Sequence, residues 1–161
     1  MNEYPYDIPA AAAYARKYAL GRNSAYYDFS QLGGDCTNFV SQCLYAGGGT
    51  MNFTAVTGWY YKSSYDRTAS WTAARYLYRF LTGNKGAGPY GQQQELSRAD
   101  AGDIIMFTKN GIPYHSVFVT AVKNGECLVC AHSYDSLDRP LSSYSFEAAL
   151  CVKIIGMRHN A

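Results

Sequence analysis

Cys36 stands where a reactive sulfur would be placed. Gly33 and Gly34 end whatever precedes it, Asp35 is a good N-cap, and Phe39, Val40, Cys43 and Leu44 recur at helical spacing until Gly47 to Gly49 stop the run. The spacing predicts a short amphipathic helix that opens on the thiol. At such an end the helix dipole and the unpaired N–H groups of the first turn favour negative charge, which suits a nucleophile that attacks carbonyl carbon. The competing reading is a small buried apolar side chain, the commonest fate of a free cysteine. Against it, the Gly-Gly-Asp lead-in is polar and sterically open, so the first turn has access to a cleft.

A thiol nucleophile needs a base, and the base needs a third group to fix its ring. Asn124-Gly125 reads as a two-residue hairpin turn that pairs Lys123 with Glu126. Counted back from there, Val117 faces His132 and Tyr134 faces His115. Both histidines then share one strand face with Val117, Val119, Ala121, Leu128 and Cys130. Nucleophile Cys36, base His115 and orienting group His132 are the expected catalytic set. Asp135 is the alternative third member, although this register puts it on the opposite face. Cys127 and Cys130 have the Cys-x-x-Cys spacing, but positions three apart on a strand point to opposite sides. Structural burial is expected for both, and no metal site. His159 lies in a polar C-terminal tail and is expected to be solvated.

The elements that must position these groups come in a helix-then-strand order. Asp7 and Pro9 open a helix over the alanine-rich run to Leu20, and Asn23 to Leu32 is a polar, aromatic connection. Gly47 to Tyr65 shows no period and is expected to be a long loop. Ser70 caps a second long helix, with Trp71, Ala74, Leu77, Tyr78 and Leu81 on one side and Gly83 at its end. Gly83 to Gly91 reads as a linker, lacking the Lys-Ser/Thr of a phosphate loop. Strands are predicted at 103–108, 115–122, 127–132 and 151–157, with turns at Asn110-Gly111 and Asn124-Gly125. The result is one α+β domain over 1–161, with a helical half of about 1–90 and a sheet half of about 91–161.

Composition narrows the function. With 14 basic against 12 acidic residues, a net charge of +2 and no basic run, nothing points to nucleic acid or to an anionic membrane surface. No stretch is long and apolar enough for membrane insertion, and the N-terminus reads as lacking an export signal, which implies a cytoplasmic protein or a non-classical route. Five cysteines leave at least one thiol outside any intrachain pairing. The 16 tyrosines fit a half-wet core edge as well as a groove, so they assign no function.

Placed on these elements, the residues resemble the bacterial putative amidase domain family of the papain-like clan, related to the cysteine, histidine-dependent amidohydrolase/peptidases and to cell-wall cysteine endopeptidases. The likeness rests on Gly33-Gly34-Asp35-Cys36-Thr37-Asn38-Phe39-Val40-Ser41-Gln42, Gly58-Trp59-Tyr60-Tyr61, Ser70-Trp71-Thr72, Ala101-Gly102-Asp103-Ile104-Ile105 and His115-Ser116-Val117. It implies a papain-like fold, with the nucleophile at a helix N-terminus packed on an antiparallel sheet that supplies the histidine. It also implies amide hydrolysis through a Cys36 thioester, with His115 and His132 assisting; from their place ahead of the nucleophile, Asn23, Gln31 and Tyr27 are the candidates for a second oxyanion donor. Asp35 and Trp59 are the expected substrate-binding residues, Asp35 as a holder of a free amine. A cell-wall peptide is the expected partner, with no cofactor and a monomeric chain. An acyltransferase or deamidase, or a catalytically silent binding module, is the alternative.

Overall fold

Asp7 accepts a hydrogen bond from the Ala10 N–H at 3.0 Å, and Pro9 falls in the first turn of α1, Ile8–Tyr18. Both features are those the sequence predicts for a helix start. In the computed structural model, which describes residues 1–132 and 134–160, α1 packs against α2, Cys36–Gly48. Gly49 ends α2 in the left-handed region at φ 66°, a conformation that favours glycine. The helix predicted from Ser70 is instead two pieces, α3 at Ala69–Thr72 and α4 at Ala74–Gly83, with Ala73 extended between them. Side-chain bonds from α2 compete with a continuous helix there: Ser41 Oγ donates to the Trp71 carbonyl, and the Trp71 indole N–H donates to Asn38 Oδ1.

The main sheet is antiparallel. It comprises β1 (Asn2–Tyr4), β4 (Gly88–Gln94), β5 (Ile104–Lys109), β6 (Ile112–Lys123), β7 (Glu126–Ala131), β8 (Ser136–Pro140) and β9 (Ala148–His159), in the order β1-β9-β5-β6-β7-β8 with β4 also on β9. A small hairpin, β2 (Tyr61–Ser63) and β3 (Asp66–Arg67), and an Asn52–Trp59 bridge structure the segment expected to be loop. The glycine-rich stretch expected to be a linker enters β4, which has no alternating pattern to betray it. His159 closes β9, its ring 4.8 Å from that of Tyr4, and is not in a solvated tail. The architecture is α+β: N-terminal helices packed on an antiparallel sheet.

Both faces of the sheet are covered. Ile104, Met106, Phe118, Cys130 and Val152 pack beneath the helices with Phe39, Val40 and Leu44. Ile105, Phe107, Val117, Val119, Val129 and Cys151 lie in a second cluster with Ala99 and Leu141. Strands covered on both sides read as continuous apolar runs, so their sequence does not reveal which residue faces which layer.

Register decides that question, and one residue changes it. Lys123 pairs with Glu126 as the Asn-Gly turn predicts, with Asn124 at φ 52° and Gly125 at φ 78°. The pairing then shifts at Thr120, since Ala121 faces Leu128 whereas Val119 faces Val129. A bulge inserts one unpaired residue, and a one-residue slip sends every later side chain to the other face. The expected pairings of Val117 with His132 and Tyr134 with His115 therefore do not form. The expected shared face divides as well: Val117 and Val119 belong to one cluster and Cys130 to the other. Tyr134 instead lies exposed in the turn between β7 and β8 at φ 59°.

Candidate active site

Cys36 is the first residue of α2, as its spacing predicts, and it is partly exposed. The other four thiols are buried and unpaired. Burial pushes the Cys43 thiol well up from its ordinary range, raises Cys127, and raises Cys130 and Cys151 to about 11. Those four are inert thiols packed in the two cores. Cys127 and Cys130 fall in opposite clusters, so the Cys-x-x-Cys spacing neither pairs nor gathers ligands. Among the described residues no cluster of three or more His, Cys, Asp or Glu is placed to hold a metal ion.

The start of α2 meets the start of β6. The Cys36 sulfur is 3.6 Å from Thr37 Oγ1, and Thr37 Oγ1 is 3.2 Å from Ser116 Oγ. His115 precedes Ser116 in β6 and is partly exposed; since Ser116 faces α2, His115 lies on the opposite, Phe107 face of the sheet, and among the described residues no hydrogen bond joins its ring to Cys36. It pairs directly with Phe107, and the two rings are 5.3 Å apart. Burial lowers its pKa to about 4, so the imidazole stays neutral near pH 7. A neutral ring is the form that accepts a proton.

His132 is elsewhere. It is 1% exposed and stacks on Phe39 beneath the helices, with ring centroids 4.2 Å apart. Its Nδ1 lies 2.6 Å from Asp35 Oδ2, and its Nε2 lies 2.9 Å from the Tyr18 carbonyl and 3.1 Å from Arg22 Nη1. Both ring nitrogens are thus committed to groups other than His115. The bulge at Thr120 is the physical reason, because it separates the faces on which the two rings lie.

Asp35 does not cap α2 with its side chain. It is 1% exposed, and its Oδ1 accepts from the Phe29 N–H at 2.8 Å and from Asn38 Nδ2 at 2.9 Å. With Oδ2 on His132, the carboxylate has no face left for a substrate amine. Trp59 is also out of reach of a substrate, being fully buried with its indole N–H donating to Ser41 Oγ at 3.1 Å. Asp135 is held by Arg22, which donates to both of its oxygens at 2.9 and 3.2 Å.

Arg22 is the group that sequence reasoning missed. It bonds Asp135 and Ser30, and its Nε lies 3.2 Å from Asp28 and 3.6 Å from Asp35. Although burial opposes its charge, the hydrogen bonds to Asp135 and Asp28 hold its pKa above the ordinary value. The only signal in the chain is a lone arginine in a connection that also carries Asp28 and Asp35. Among the expected oxyanion donors, Asn23 Nδ2 donates to Tyr14 Oη at 3.1 Å and the Tyr27 N–H donates to Tyr61 Oη at 2.8 Å, while Gln31 is exposed.

Comparison with known proteins agrees with the motifs. The uncharacterized protein YhbB of Bacillus subtilis (strain 168) is 36% identical over 138 residues, covering 83% of this chain and 43% of that protein. The uncharacterized protein YjcM of the same organism is 30% identical over 140 residues, covering 81% of this chain and 32% of that protein. The chain therefore spans less than half the length of these relatives. No solved structure matches it. Residues 5–155 match the family model described as "Putative amidase domain", and the chain belongs to that family.

Proposed function

We infer that this chain is a thiol-dependent amide hydrolase with Cys36 as nucleophile and His115 as general base. The observation that carries the reading is that one thiol of five is partly exposed and it alone opens a helix; His115 enters as the base on its strand motif and its neutral ring. Family membership supports amide chemistry. The helix-borne sulfur set against an antiparallel sheet supports a papain-like arrangement.

In this mechanism the Cys36 thiol gives its proton to His115 and the sulfur attacks the substrate carbonyl carbon. The Cys36 backbone N–H and one further donor stabilise the oxyanion. His115 returns the proton to the leaving amine, and the C–N bond breaks to leave a thioester. Water, deprotonated by His115, adds to the thioester, the C–S bond breaks, and the free acid departs as the thiol is restored. His132 acts at a distance, as a positioning residue that fixes Asp35 and thereby the start of α2.

The substrate is a bacterial cell-wall peptide or a related amide. Incubation with purified muropeptides, followed by mass analysis of the fragments, tests this. Products ending in a free acid are expected with the native chain and none with Cys36→Ala. Equal cleavage by the variant overturns the thiol mechanism, transfer of the acyl group to an added amine overturns hydrolysis, and no cleavage by either overturns the cell-wall substrate.

A further inference from the structure

Among the described residues is a cavity that Cys36 does not line. It has a volume of about 720 Å³ and lies between the 52–58 loop and α4. The loop follows α2 in the chain.

Charge is the first observation. Arg79 and Lys85 line the cavity, no acidic residue does, and among the described residues neither cation is in an ion pair. Residues 50–91 hold five basic residues (Lys62, Arg67, Arg75, Arg79, Lys85) against the single acid Asp66, so this stretch is +4 in a chain whose total is only +2. The remaining residues are net acidic, and at the cavity itself Arg79 and Lys85 supply the positive charge.

Shape and backbone are the second. Phe80 supplies an apolar wall, Tyr76 is 37% exposed, and Val56 is 85% exposed at the same cavity. Val56 has φ 66°, a left-handed conformation that β-branched residues rarely adopt. The loop holds it there through Thr57 N–H to the Ala55 carbonyl at 2.7 Å and Gly58 N–H to the Thr54 carbonyl at 2.9 Å. Conformations of that cost cluster at ligand clamps and active sites. A Cβ at Gly58 would come within 2.3 Å of the Asn52 carbonyl oxygen, so the tight loop requires glycine there.

We propose that this cavity binds a small organic carboxylate, its carboxylate between Arg79 and Lys85 and its apolar body against Phe80, Tyr76 and Val56. The planar fork of Arg79 matches a carboxylate, and Lys85 adds a second point of positive charge. The wall is also tied to α2: Gly58 and Ser70 precede Trp59 and Trp71, whose indoles donate to Ser41 and Asn38. The proposal does not rest on the amidase reading.

The test is an NMR titration of the full chain with 4-phenylbutyrate, following the backbone amides of Val56, Gly58, Arg79 and Gly86. Saturable one-to-one binding is expected below about 10 mM, unchanged in Cys36→Ala. Neutral 4-phenylbutanol, and the Arg79→Gln/Lys85→Gln double variant with 4-phenylbutyrate, are each expected to bind at least about tenfold more weakly. Both substituted side chains are exposed, and a native far-UV spectrum checks the fold. Lack of saturation, equal binding of the alcohol, equal binding by the double variant, or shifts that map to other residues would each overturn the site.

Discussion

His115 is the residue whose chemistry is most exposed to pH. Its pKa is about 4 in the folded chain because burial disfavours the charged ring, against about 6.5 for an unfolded histidine. The unfolded chain therefore takes up this proton first as pH falls. The stabilising effect of keeping the ring neutral is fully present above pH 6.5 and is lost progressively down to about pH 4, by roughly 3 kcal/mol at most. Urea midpoints measured across that window are expected to fall in the native chain and to fall less in His115→Gln. Identical curves would show that the His115 imidazole does not contribute to the pH dependence of stability. This environment could not be read from the sequence, which identifies a histidine near a strand start but not the Phe107 ring beside it. The thiols were more legible: Cys36 follows Gly-Gly-Asp and opens a periodic run, whereas Cys43 falls within that run and Cys127, Cys130 and Cys151 fall in apolar strands.

The start of α2 depends on one side chain. Asp35 precedes its first residue and accepts from the Phe29 N–H, from Asn38 and from His132. Asp35→Ala removes the acceptor of the Phe29 N–H, of His132 and of one of the two N–H bonds of the Asn38 amide, which keeps its bond to the Tyr27 carbonyl, and a buried unsatisfied group costs about 1–3 kcal/mol. The expected loss is at least about 3 kcal/mol by urea denaturation. Asp135→Asn, on the partly exposed flank of Arg22, is expected to cost less than about 1 kcal/mol. Comparable losses for the two would show that the Asp35 cluster does not anchor the helix. From the sequence alone Asp35 is a cap, because the i to i+3 signal is local. Its actual partners are 6, 3 and 97 residues away. The same distance problem hid the bulge in β6. Thr120 Oγ1 bonds Asp138 Oδ1 at 2.5 Å and the Leu128 carbonyl at 3.1 Å, so the slip is held by β8, a strand with no readable alternation.

At the scale of the molecule, the two ends of the chain close one structure. Asn2–Tyr4 pairs with Met157–His159, Tyr4 Oη donates to the Gly48 carbonyl at 2.7 Å, and Tyr6 Oη donates to the Gly102 carbonyl at 3.0 Å. The first residues thus tie α2 to the sheet. Deletion of residues 1–6 is expected to lower stability by at least about 2 kcal/mol. Unfolding followed by far-UV circular dichroism and by tryptophan fluorescence is expected to coincide both before and after the deletion, since helices and sheet share a core. Separate transitions would mean that the segments about 1–90 and 91–161 fold as independent units.

The sequence by itself determined the local features: the helix opening on Cys36, the Asn-Gly turns, the burial of Cys127 and Cys130 and the helix-before-sheet order. Each follows from residues within about one turn or one hairpin of each other, where periodicity and turn chemistry act directly. Tertiary structure alone decided the partners. It put His115 against Phe107 and His132 on Asp35, brought Arg22 into the cluster, and, among the described residues, left Arg79 and Lys85 outside any ion pair at a cavity beside α4. Those outcomes depend on a one-residue slip and on contacts up to 113 residues apart, and no local pattern encodes either.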